Sequence, residues 1–203
     1  MNIGDQKISD FLESLASKEP TPGGGATSGL LAALATSLGN MVLAYTHGKV
    51  KYADHQSLHG DCKNFLHAAR DESLALATAD AKAYGTLNDL WKLEKEDPLR
   101  LEGWDDAVKQ ATAVPIRTIE LCNHILTTLE TMLGKTNKML DSDLVTASIL
   151  AKSSAEIAAV TARINLPLIS DHERTSELEK TIQSLIASCE TIARSIDEAC
   201  GAV

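Results

Sequence analysis

Asp80 occupies a position where its helical repeat otherwise carries hydrocarbon. Leu76, Ala77, Tyr84 and Leu87 lie at i−4, i−3, i+4 and i+7 from it, so the carboxylate projects from the apolar side of its helix. A buried carboxylate is costly unless paired, and burial raises its pKa. Asp80 therefore either pairs with a Lys or Arg from another helix or serves as a general acid/base in a partly dry pocket, where a raised pKa is useful. Tyr84 stands one turn further on, placed to orient the carboxylate or a substrate.

A second chemical feature is the run Pro20-Thr21-Pro22-Gly23-Gly24-Gly25-Ala26, directly before a helix of small residues. Proline cannot continue a helix backwards. Glycine lets a ligand approach the main chain, and a Gly-rich turn leading into a helix offers free N–H groups and a positive dipole end to an anion. The local pattern fits equally a sharp turn between helices without a ligand.

Other polar groups sit among apolar repeats. Asn165 extends the series Ala151, Ala155, Ala158 and Ala162. It either caps its helix before Pro167 or faces a site. Arg163, on the side shared with Lys152 and Glu156, is either surface or the partner of a ligand carboxylate. Ser142-Asp143 reads as a helix N-cap. Gly48-Lys49-Val50-Lys51-Tyr52 is either a glycine stop with cations favoured by the helix dipole or a basic lip for an anionic substrate. His55 and His59 stand at i,i+4 without an evident third ligand and read as solvated helix surface, not a metal site.

The elements that must position these groups all have a helical period. Ile8, Phe11, Leu12 and Leu15 mark a short first helix. The second follows the glycines and ends at Gly48. The third runs from about 53 to 95, where Asp97-Pro98 breaks the pattern. The fourth spans about 104 to 133, with Pro115 expected to bend or interrupt it. The fifth begins near Ser142-Asp143 and stops at Asn165. The sixth carries Leu178, Ile182, Leu185, Ile186, Cys189, Ile192 and Ile196. The prediction is one all-α, up-and-down bundle of about six helices, residues 1–203 forming a single domain. The small, apolar second helix is predicted to pack against a second copy in a helical dimer interface.

Composition narrows the function. Aromatic residues make up 3% of the chain and its formal charge is −9. No Lys/Arg cluster is present, which excludes a general nucleic-acid binder. No apolar run reads as long enough to span a bilayer, and Met1-Asn2-Ile3-Gly4-Asp5 does not open a signal peptide. Cys62, Cys122, Cys189 and Cys200 form no CxxC pair and read as reduced, mostly buried thiols of a cytoplasmic protein.

Taken together, the positions resemble the cyclodeaminase/cyclohydrolase family of folate one-carbon metabolism. That family includes the C-terminal domain of formimidoyltransferase-cyclodeaminase and stand-alone bacterial methenyltetrahydrofolate cyclohydrolases. The resemblance rests on Phe11–Ala16 followed by Pro20–Gly25, on Thr46–Tyr52, on Asp80-Ala81-Lys82-Ala83-Tyr84 and on Ala113-Val114-Pro115. It continues through Asn137 with Ser142-Asp143 and through Arg163-Ile164-Asn165-Leu166. It departs at Thr136 and Thr161, where relatives usually carry Gly and Asn. The resemblance implies an all-helical dimer that acts on a folate without metal or organic cofactor, either as cyclodeaminase or as cyclohydrolase. It implies catalytic roles for Asp80, Tyr84 and Asp143. It implies substrate contacts for Gly23, Gly24, Gly25, Lys49, Asn137, Ser142, Arg163 and Asn165.

Overall fold

The computed structural model describes residues 2–201. Six α-helices follow one another: α1 (Ile8–Leu15), α2 (Gly24–Ala44), α3 (Gln56–Trp91), α4 (Pro98–Thr131), α5 (Asp141–Asn165) and α6 (His172–Cys200). No strand occurs among the described residues. Helices α2, α3, α4 and α5 pack in a ring, each against the next, and α6 lies across α4 and α5. Short connections make the neighbours antiparallel. Thus the start of α2 meets the end of α5, and the end of α2 meets its start.

Small residues allow the close approach. α5 turns Ala147, Ala151, Ala155, Ala158, Ala159 and Ala162 inward, and α2 contributes Ala32 and Ala35 to the same core. A side chain at Gly29 would meet the Ser73 carbonyl oxygen at 2.7 Å and Ala77 Cβ at 2.8 Å, so α2 and α3 nearly touch there. Where the backbones are this close, hydroxyls satisfy buried carbonyls. Ser154 Oγ donates to the Ser28 carbonyl at 2.7 Å, and the Cys122 thiol donates to Ser154 Oγ at 3.2 Å. Burial pushes the Cys122 thiol up to about 12, which makes it inert as a nucleophile.

Several expected boundaries move. α4 begins at Pro98, because Asp97 accepts from the Leu99 N–H and caps the helix while proline takes its first position. Pro115 lies inside α4 without interrupting it. α2 ends at Ala44, ahead of a turn in which Gly48 takes φ +76°. Ser142 and Asp143 do not cap α5. A 3₁₀ turn at Lys138–Leu140 runs directly into the helix, which places both inside its first turn. His59 is buried, not solvated, and its Nε2 lies 2.8 Å from the Lys135 carbonyl oxygen. Gly24–Ala44 and Lys138–Leu168 are, by length and composition, apolar enough to cross a membrane, contrary to the expectation. About half of each is buried within the bundle, as befits core helices.

Candidate active site

Asp80 is 9% exposed. It lies late in α3, against the first turn of α2. There Gly23 is the N-cap and has no side chain to satisfy the helix's first N–H groups. Asp80 substitutes for that cap from another helix and accepts from the Ala26 N–H. Gly25 makes this approach possible, since a methyl group in its place would overlap the carboxylate. No Lys or Arg pairs with Asp80 among the described residues. Desolvation therefore outweighs the single N–H bond and raises the carboxyl from 3.8 to about 6.

The carboxyl opens into a cavity of about 380 Å³. The proline–glycine turn forms one wall, through Pro20, Thr21, Gly23, Gly24 and Gly25. The end of α5 forms the other, through Ile157, Val160, Thr161, Ile164 and Asn165. Tyr84 stands at the same cavity, 41% exposed. Mostly apolar walls around one proton-exchanging group near neutrality suit acid–base chemistry on a flat organic molecule.

Asn165 is 4% exposed. Its Nδ2 donates to the Ala111 carbonyl at 2.8 Å and to the Thr161 carbonyl at 3.2 Å. Pro115, four residues after Ala111, has no N–H to offer that carbonyl, and the Asn165 amide takes its place. Sequence reasoning found Asn165 and Pro115 separately and missed that they belong together. It also missed Ala111 as a cavity residue and marked Thr161 only as a departure from the family pattern.

The other expected residues are not brought to Asp80 within one chain. Arg163 turns to α6, where its Nε lies 3.1 Å from Glu179 Oε1. Lys49 is exposed beyond the far end of α2. Asn137, Ser142 and Asp143 gather near that end too, tied in by the Asn137 N–H donating to Thr46 Oγ1 at 2.9 Å. Two polar clusters thus lie at opposite ends of α2, roughly 30 Å apart at 1.5 Å per residue.

These features define a helical bundle with a pocket suited to acid–base chemistry. The formiminotransferase-cyclodeaminase family matches residues 7–184. A methenyltetrahydrofolate cyclohydrolase of Methylorubrum extorquens is 28% identical over 202 residues, 96% of each chain. The formimidoyltransferase-cyclodeaminase of Gallus gallus is 26% identical over 180 residues, which span 87% of this chain and 33% of that protein. The crystal structure of formiminotetrahydrofolate cyclodeaminase from Thermotoga maritima shares the fold, with a TM-score of 0.91 over 98% of both chains at 24% identity. The chain belongs to the formiminotransferase-cyclodeaminase family, among the folate one-carbon cyclodeaminases and cyclohydrolases.

Proposed function

We propose that residues 1–203 form one cytoplasmic domain that converts 5-formimidoyltetrahydrofolate into 5,10-methenyltetrahydrofolate and ammonia. The observation that carries this reading is the lone Asp80 carboxyl, buried beside the glycine turn with its pKa near 6. The formimidoyl group reacts as its protonated form, the amidinium N5–CH=NH2⁺; N10 attacks its carbon, a new N10–C bond forms and the C=N electron pair moves onto the terminal nitrogen. The Asp80 carboxylate accepts the N10 proton and then, as the acid, hands it to the departing nitrogen. The C–N bond breaks, ammonia leaves and the methenyl cation remains. One group near neutral pKa can perform both transfers, each worth about 10²–10⁴ in rate. The apolar walls hold the two nitrogens face to face, an orientation effect of up to roughly 7–11 kcal/mol. The reaction calls for neither metal nor organic cofactor. Tyr84 orients the carboxyl or the substrate, and Gly23, Gly24 and Gly25 admit the substrate to the main chain.

The end-to-end match to the Methylorubrum extorquens protein favours a second reading, hydrolysis of 5,10-methenyltetrahydrofolate to 10-formyltetrahydrofolate. Purified protein assayed with both folates separates the two. The expected result is ammonia release from the formimidoyl substrate. Turnover of the methenyl compound alone selects the second reading, and binding of neither folate overturns both.

The same reading includes a homodimer. Apolar side chains stay uncovered along α2, α5 and the turns that adjoin them: Leu34, Tyr45, Met139, Ile149, Val160 and Ile164 are all exposed. On α2 an apolar stripe advances by threes and fours, Leu31, Leu34, Leu38, Met41 and Tyr45, as a helix–helix seam does. A two-fold axis lying in this face and crossing the helices would bring the Lys49–Asn137–Ser142–Asp143 end of one copy onto the Asp80 cavity of the other. Asp80→Asn and the double variant Ser142→Ala/Asp143→Asn should then each be inactive alone. Co-expressed, they should recover about a quarter of wild-type activity, since half the dimers are mixed and each mixed dimer holds one intact site of two. No recovery from a proven mixed dimer would remove the shared site.

A further inference from the structure

We propose that Pro115 locks the Asn165 amide so that Oδ1 faces the cavity as an acceptor, and that this oxygen selects a substrate whose reacting one-carbon group bears an N–H. The inference rests on the folate reading above and deepens it. Pro115 is buried inside an unbroken α4. Its missing N–H leaves the Ala111 carbonyl without its helical donor. Asn165 Nδ2 supplies one hydrogen to that carbonyl at 2.8 Å and the other to the Thr161 carbonyl at 3.2 Å. Both partners are carbonyls, which only accept. Turning the amide end for end would set its oxygen against two other oxygens, so the orientation is fixed.

The remaining polar atom, Oδ1, takes part in neither of these hydrogen bonds and is not among the fully enclosed unbonded atoms of the described residues, so it stays reachable from the cavity. Asn165 lines the cavity together with Ala111 and Asp80. Among the cavity's polar groups, the Asp80 carboxylate and the pinned amide oxygen can only accept, whereas the hydroxyls of Tyr84 and Thr161 can also donate. Acceptors recognise donors. A formimidoyl group presents N–H where a formyl group presents a carbonyl oxygen, and the two folates are otherwise alike. A site built to bind an N–H strongly rejects the analogue that lacks it, because the bound ligand then encloses the site's acceptor without giving it a donor.

Asn165→Ala, Pro115→Ala and the double variant test this. The readouts are the melting temperature, KM and kcat with 5-formimidoyltetrahydrofolate, and the inhibition constant of 5-formyltetrahydrofolate. Asn165→Ala should lower the melting temperature, because the Ala111 carbonyl is orphaned. It should raise KM about tenfold with kcat changed less than about threefold, and lower the formyl compound's inhibition constant, because no acceptor is then left unpaired against the formyl oxygen. In the double variant the alanine that replaces Pro115 gives the Ala111 carbonyl a backbone N–H again, so the melting temperature should return while KM stays raised. Pro115→Ala alone should keep the fold and free the amide to turn, which narrows the preference for formimidoyl over formyl several-fold. Recovery of KM together with stability in the double variant would reduce Asn165 to a structural prop and overturn the proposal. So would a Pro115→Ala protein with unaltered preference. A wild type that binds neither folate fails the underlying reading instead, and the proposal with it. Should Asn165→Ala not fold, Pro115→Ala and the double variant decide the matter.

Discussion

Replacing Asp80 by Asn is expected to abolish most turnover and, at neutral to alkaline pH, to make the protein more stable. The two effects have one cause. Burial raises the carboxyl from 3.8 to about 6, so the folded chain holds its proton more tightly than the unfolded chain does. Below pH 3.8 both states are protonated and the group is neutral to folding. Between about 4 and 6 the unfolded chain has lost the proton while the folded chain keeps it. Stability therefore falls as pH rises through this window and stays reduced above it. Two pKa units correspond to about 3 kcal/mol at most. Asn carries no charge, and its Oδ1 can still accept from the Ala26 N–H. The variant should accordingly unfold at higher denaturant than wild type at about pH 8 and alongside it at about pH 4. Its kcat should fall at least about 10²-fold, since no proton can be exchanged. Any bend near pH 6 in the wild-type rate profile should vanish with it. Turnover close to wild type would remove Asp80 from the chemistry. Equal unfolding at the higher pH would show that its charge costs the fold nothing.

Asp80 was legible because its evidence is periodic: apolar residues one and two turns away fix the face it shares. The helices were legible for the same reason. What stayed hidden were relations between elements. Asp97-Pro98 breaks one pattern, but the same pair is a cap and first residue for the next, and α4 opens there. Ser142-Asp143 has good cap chemistry, yet the 3₁₀ turn before it continues into α5, so nothing is left to cap at that point. The local pattern around His59 reads as surface; only the turn after α4, folded back onto α3, buries it against the Lys135 carbonyl. A proline within a helical pattern announces an orphaned carbonyl four residues earlier, but not that Asn165 will satisfy it. The separation of Lys49, Asn137, Ser142 and Asp143 from Asp80 is of the same kind. Which residues of an antiparallel pair share an end is decided by packing. The motif blocks named the residues but not the end of the bundle where each falls.

Gly25→Ala gives the second large effect, and it acts on the catalyst through space alone. Gly25 sits in the first turn of α2 with ordinary helical geometry, so its glycine is not there for backbone freedom. In a helix, Ala is favoured over Gly by roughly 0.8–1.0 kcal/mol, and propensity alone predicts a more stable protein. The added methyl, however, would overlap both oxygens of Asp80. Neither side can yield easily, because α2 and α3 already touch one turn further on, at Gly29 against Ser73 and Ala77. The carboxylate must swing away from the Ala26 N–H or the helices must part. Overpacking of this kind costs about 1–3 kcal/mol, which exceeds the gain in propensity, so the melting temperature should fall. A displaced carboxyl no longer meets N10 and the leaving nitrogen, and kcat should drop by about 10². The double variant Gly25→Ala/Asp80→Ala removes the overlap. It should recover the lost stability and remain inactive, which separates a crowded catalyst from a damaged fold. If Gly25→Ala keeps full turnover, the carboxylate does not act from its place against the first turn of α2, and the proton path must run elsewhere in the cavity.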